Sequence, residues 1–165
     1  MNQSLKKTLN KLIRFCNNNN YPVVLDIDAT VLNNQKNVKC RAQPVSVGKY
    51  IVSQCHKYNI PIYFVTARPY SERNANYTKE QLSCLNYAPY EKLYMRPDHI
   101  KGGAAVSKYK RMSRKDIVKR CGCKIGLNVG DQCFDLQEYS SLNDIRHIKK
   151  NGIQLLGPDI NADRD

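Results

Sequence analysis

Pro22-Val-Val-Leu-Asp26-Ile-Asp28-Ala-Thr30-Val-Leu-Asn33 is an apolar run that stops abruptly at two carboxylates. Val23, Val24 and Leu25 suit a strand buried on both faces, and such strands belong to parallel sheets covered by helices. Side chains at i and i+2 of an extended segment point the same way, so Asp26 and Asp28 are expected to sit together where this strand runs out. Two like charges that close repel, unless a divalent cation lies between them, one stays protonated or a cationic side chain is near. In open α/β sheets, ligands bind beyond the carboxyl ends of the strands, where these acids would stand. On its own an Asp-x-Asp pair also fits a plain turn cap.

Reading outward, the flanking segments alternate helix and strand. Leu5, Leu9, Leu12, Ile13 and Cys16 recur at helical spacing after Ser4, with Lys6, Lys7, Lys11 and Arg14 on the other face. Val47, Ile51, Val52 and Cys55 trace a second helix, and Pro61-Ile-Tyr-Phe-Val-Thr66 is a second buried strand ending in a hydroxyl. A third helix opens at Ser71 and runs to about Leu85, and Lys92-Leu-Tyr-Met-Arg96 is a third strand. A basic helix over about Ser107 to Arg120 carries Lys108, Lys110, Arg111, Arg114, Lys115, Lys119 and Arg120 against Asp116 alone. Cys123 to Val129 reads as a fourth strand ending in Gly130-Asp131. A short helix from Gln132 to Tyr139, a fifth strand from Gly152 to Gly157 and a frayed tail from Pro158 follow. Strands alternating with helices predict an α/β fold, a doubly wound Rossmann-like parallel sheet sandwiched by helices with right-handed crossovers. The polar stretch from Asn33 to Gln43 and the Pro97 to Gly103 loop leave room for a minimal cap only.

Length and charge bound the function. A chain of 165 residues is expected to form one domain, residues 1–165, with a real core. Its 27 Lys+Arg against 14 Asp+Glu, a formal charge of +13, point to anionic partners. No apolar run is long enough to span a membrane and the N-terminus lacks a secretory segment, so a cytoplasmic location is expected. Seven scattered cysteines suggest reduced thiols rather than a disulfide framework, and Cys121-Gly-Cys123 with Cys133 does not match the usual zinc spacings.

Taken together, the order acid-x-acid, threonine, lysine, then Gly-Asp with a second Asp four residues on resembles the motif set of the haloacid dehalogenase superfamily of phosphotransferases. The stretches are Leu25-Asp-Ile-Asp-Ala-Thr-Val-Leu-Asn-Asn34, Tyr63-Phe-Val-Thr-Ala-Arg-Pro69, Tyr109-Lys-Arg-Met-Ser-Arg-Lys-Asp-Ile-Val118 and Asn128-Val-Gly-Asp-Gln132. Within the superfamily the chain resembles the acid phosphatases of the plant and bacterial type, subfamily IIIB. That resemblance implies a phosphatase in which Asp26 is the nucleophile forming an aspartyl-phosphate and Asp28 the general acid and base. Thr66 and Lys110 would hold the phosphoryl oxygens. Asp26, the backbone carbonyl of Asp28, Asp131 and, directly or through water, Asp135 would bind Mg2+. Lys108 and Lys115 remain alternatives to Lys110 for the phosphate lysine. Ala29 departs from the glycine or glutamate more usual in the family, and the retained Asp26 separates the chain from related storage proteins that have lost it.

The implied partner is a phosphorylated substrate, a small molecule or a nucleic-acid end, the latter because phosphatase domains of polynucleotide kinases share this motif set. A basic nucleic-acid-binding module without catalysis on the same fold is a further alternative. A response-regulator receiver fits poorly, since there the lysine comes last. No Cys is followed by five residues and then Arg, which excludes a cysteine phosphatase, and no Gly-rich Walker loop is present.

Overall fold

A computed structural model describes residues 1, 3–33, 40, 42–136, 144–148 and 152–156. Along the chain lie α1 (Gln3–Asn19), β1 (Val23–Leu25), α2 (Ser46–Lys57), β2 (Ile62–Pro69), α3 (Glu72–Cys84), β3 (Lys92–Arg96), α4 (Gly103–Cys121), β4 (Leu127–Gly130), α5 (Cys133–Leu136), β5 (Asp144–Ile148) and β6 (Gly152–Leu156). The sheet order is β3-β2-β1-β4-β5-β6. β1 pairs in parallel with β2 and β4, β2 with β3, and β4 with β5, while β6 runs antiparallel to β5. From β1 the chain winds outward to β3, then crosses back to β4 on the other side of β1. The β1/β4 boundary is therefore the switch point of a doubly wound α/β sheet, the place where such sheets bind ligands.

Alternation along β1 builds two cores. Val23 and Leu25 join Leu9, Leu12 and Ile13 of α1 and Ile51, Val52 and Cys55 of α2 in the larger cluster. Val24 points the other way, into a smaller cluster with Tyr63, Val65, Tyr94 and Ile117 of α4. This two-sided burial is what the unbroken apolar run in β1 requires. Ser71 caps α3 as expected, its side chain accepting from the Asn74 amide.

Some expectations change. α4 begins at Gly103, four residues before Ser107, and β4 is confined to Leu127–Gly130. β5 is an additional strand, so the segment at Gly152 is the sixth strand rather than the fifth. The end of the Gln132 to Tyr139 helix past Leu136, Gly157, the tail and most of the Asn33 to Gln43 stretch lie outside the described residues. The expectation of free thiols fails for four cysteines. Cys40 is bonded to Cys84 and Cys121 to Cys123, while Cys16 and Cys55 stay free and buried. An odd count scattered along the sequence does not reveal that the fold brings two pairs to Cα separations of 5.2 Å, well inside the disulfide range. Among the described residues no helix is long and apolar enough to cross a membrane.

α2 also braces the turn after β1. A Cβ on Gly48 would stand 2.4 Å from the Thr30 carbonyl oxygen and 2.7 Å from the Val31 Cα, both backbone atoms that cannot swing aside. Gly48→Ala should therefore cost about 1–3 kcal/mol by overpacking, read as a lowered midpoint in chemical denaturation; an unchanged midpoint would show that α2 is not held so closely against this turn.

Candidate active site

The carboxyl end of β1 does not simply fray into a loop. The Ile27 carbonyl accepts from the amides of Thr30, Val31 and Leu32, and the Ala29 amide donates to the Leu32 carbonyl at 2.7 Å. This tight turn holds Ala29 at φ 59°, a left-handed conformation that is costly for a residue with a Cβ. It explains why glycine is the easier residue here and why alanine, the smallest alternative, is accommodated. Leu25 pairs with Phe64 and with Val129, so Asp26 stands one residue, and Thr66 and Asp131 two residues, beyond that row.

Asp26, Asp131 and Asp135 converge, each offering one carboxylate oxygen within 4.8 Å of the others. Lys110 reaches them from α4. Its Nζ lies 2.7 Å from Asp26 Oδ1 and also bonds Asp135 Oδ1. Lys110 and Asp135 are each 2% exposed and Asp26 6%. Thr30 Oγ1 donates to the second Asp26 oxygen at 3.5 Å, and the Asp26 amide donates to the Val129 carbonyl. Asp135 is fixed further: its Oδ2 accepts from the Gln132 amide at 3.0 Å and its carbonyl from Asn128 Nδ2. Gly130 makes this possible, since a Cβ there would lie 2.2 Å from the Asp135 Cβ. Asp131 is partly exposed and accepts from Gln132 Nε2. Of the three lysines considered, only Lys110 faces the acids; Lys108 and Lys115 are exposed.

Asp28 belongs to a different arrangement. Arg68 grips it with two parallel bonds, Nε to Oδ2 at 2.8 Å and Nη2 to Oδ1 at 2.7 Å. The same guanidinium donates through Nη1 to Thr78 Oγ1 and Gln81 Oε1 on α3. Its backbone amide donates to the buried Thr66 hydroxyl at 3.2 Å. The i, i+2 reasoning correctly places the two acids at one strand end, but the turn sends them to different partners. Arg68 was given no role from sequence; its signal was its place two residues after Thr66, level with the expected phosphate site. A groove of about 580 Å³ runs beside β3, lined by Tyr70, Lys79, Tyr94 and Tyr109 among others, and does not include the acids.

One ammonium faces three carboxylates here. Burial pushes the Asp26 carboxyl up to about 7, with the attraction of Lys110 opposing and the Asp135 charge adding to the shift. Burial raises Asp131 as well. Burial alone would lower Lys110, but Asp26 and Asp135 outweigh it and hold it above the usual lysine value, so it stays charged. The donor set is all oxygen, which suits a hard divalent cation such as Mg2+. Without a cation, folded Asp26 binds its proton more tightly than the unfolded chain does. Its contribution to stability is full below about pH 4 and fades as pH rises toward 7. Stability measured in chelator for wild type minus Asp26→Asn should fall across that window; a flat difference would show that Asp26 does not carry the raised pKa.

A family model described as HAD superfamily, subfamily IIIB (Acid phosphatase) matches residues 39–153. The match covers the elements carrying Thr66, Arg68, Lys110, Asp131 and Asp135, and begins after the β1 turn with Asp26 and Asp28. No curated protein matches the chain.

Proposed function

Because this chain belongs to the acid phosphatases of HAD superfamily subfamily IIIB, and is a phosphatase, we propose that it is a magnesium-dependent phosphomonoester hydrolase working through an aspartyl-phosphate on Asp26. The observation that carries this reading is the convergence of Asp26, Asp131 and Asp135, with Asp26 and Asp135 both paired to the buried Lys110. Asp26, Asp131 and Asp135, with the Asp28 carbonyl, would hold the cation, which when bound offsets negative charge on the transferring phosphoryl group.

The chain's own residues do the rest. Asp26 attacks phosphorus with one oxygen; the bond from phosphorus to the leaving oxygen breaks, and Asp28 donates its proton to that oxygen. Asp28 then takes a proton from water, which attacks phosphorus, releases inorganic phosphate and restores the Asp26 carboxylate. Splitting one displacement into two needs this nucleophile and this proton carrier side by side. Thr66 and Lys110 hold the phosphoryl oxygens, and Lys110 moves from neutralising Asp26 to neutralising the phosphate that Asp26 carries. Arg68 fixes the direction of the Asp28 carboxylate, and Thr78 and Gln81 fix Arg68. The domain, residues 1–165, works as one unit on a phosphorylated small molecule.

Hydrolysis of an aryl phosphate should require Mg2+ and vanish on chelation, and Asp26→Asn should lose at least about three orders of magnitude in kcat while remaining folded. Near-normal turnover by folded Asp26→Asn, or full activity without divalent ions, would place the chemistry elsewhere.

Arg68→Met should cost about 100-fold in kcat by loosening Asp28, the scale expected for a misplaced catalytic group. An unchanged kcat would remove Arg68 from the reading.

A further inference from the structure

α4 has two faces with different charge chemistry. Lys110, Ser113, Arg114 and Ile117 are buried and define the inward face. At 3.6 residues per turn, Lys108, Lys115 and Lys119 point within about 40° of one another and about 140–180° away from Lys110. All three are exposed, as are Arg111 and Met112 beside them. The one acid of the helix, Asp116, is on the flank and already engaged, accepting from Tyr94 Oη and Arg120 Nε and lying 3.6 Å from Lys92 Nζ. Lys108, Lys115 and Lys119 therefore form a row of exposed cations along the outward face. These three lysines make no contact with a phosphate held at Lys110, because the body of the helix stands between them.

We propose that this outward face of α4 is a second, separate binding surface for the sugar-phosphate backbone of nucleic acid, read without regard to sequence. From Lys108 to Lys119 the helix rises about 16 Å, a length over which one strand of a duplex presents about five phosphates. Cations spaced along one face of a rigid helix complement the regularly spaced anions of a phosphate backbone. The face carries no Asn or Gln that would read adenine and no aromatic that would stack on a base, so its lysines are assigned to phosphates. A membrane fits less well, since Met112 is the single large apolar side chain in the row and the rest of the helix is docked on the sheet. The surface would tether the enzyme to a polyanion and leave the phosphoryl site free for a small substrate.

The test uses a labelled duplex with hydroxyl ends, so that no terminal phosphate can occupy the active site. Fluorescence anisotropy from about 20 to 200 mM salt should show binding whose log–log salt slope is about −3 for three neutralised phosphates. Lys108→Glu/Lys115→Glu/Lys119→Glu should lose at least tenfold in affinity at low salt and most of the slope, with aryl phosphate hydrolysis unchanged. Lys7→Glu/Lys11→Glu/Arg14→Glu on the exposed face of α1 makes the same charge change and should leave binding within about threefold. Should the glutamate triple on α4 fail to fold, the glutamine triple must show the loss. No binding at the lowest salt, equal loss from the α1 and α4 variants, or an α4-dependent preference for phosphatidylserine vesicles over the duplex would each overturn the proposal.

Discussion

The buried ammonium of Lys110 is the constraint on which the rest of the site depends. Three carboxylates meet at the ends of β1 and β4, and removing them from water without a counter-charge would cost several kcal/mol for each ion. Lys110 meets that requirement only if α4 docks with its inward face on the sheet. The neighbours that dock it, Ser113, Arg114 and Ile117, share that face. Catalytic geometry and the packing of α4 are therefore one interaction seen from two ends. A loosened α4 would leave the acids uncompensated, and loss of the acids would strand a buried lysine.

The second constraint is the turn after β1. A strand of three residues leaves little length in which to aim Asp26 and Asp28, so the aiming is done by the turn. The cluster of amides on the Ile27 carbonyl and the left-handed Ala29 set the chain direction, while α2 approaches closely enough at Gly48 to hold it. Strained backbone persists where surrounding structure over-determines it, and it collects at functional sites. Here the over-determination comes from two sides of the sheet, α2 pressing from one face and Lys110 of α4 arriving from the other.

What sequence could and could not reveal follows from the range of the interactions. The apolar period placed α1, α2 and the buried strands β1 and β2 because each local pattern agrees with its burial: Val47, Ile51, Val52 and Cys55 are the buried face of α2. The gathering of Asp26, Lys110, Asp131 and Asp135 was legible through the resemblance of the motif order; sheet topology alone accounts for Asp26 and Asp131, which follow β1 and β4, and not for Lys110 on α4 or Asp135 on α5. The role of Arg68 was not legible, because its partners Asp28, Thr78 and Gln81 come from the turn after β1 and from α3, and its place two residues after Thr66 did not by itself name them. β5 escaped because Asp144-Ile-Arg-His-Ile148 mixes charges into a short run that gives no clear apolar signal. The Cys40–Cys84 pair escaped because its members are 44 residues apart, and only the fold brings them together.

The separation of Asp26 from Asp28 is what lets two chemically identical side chains take different parts. Asp26 is sealed among buried groups, shares Lys110 with Asp135 and has its proton affinity raised by burial. Asp28 is partly exposed and faces a guanidinium that anchors both its oxygens. Under the proposed mechanism the carboxylate that bonds to phosphorus would need its charge compensated, and Lys110 is placed to do so. The carboxylate that passes a proton would need a fixed direction and access to solvent, and Arg68 and the partial exposure of Asp28 are placed to supply them. Environments that differ around a pair of acids are how one fold assigns them separate roles. In this chain the division runs along the sheet itself, with Asp26 bonded toward β4 and Asp28 toward β2.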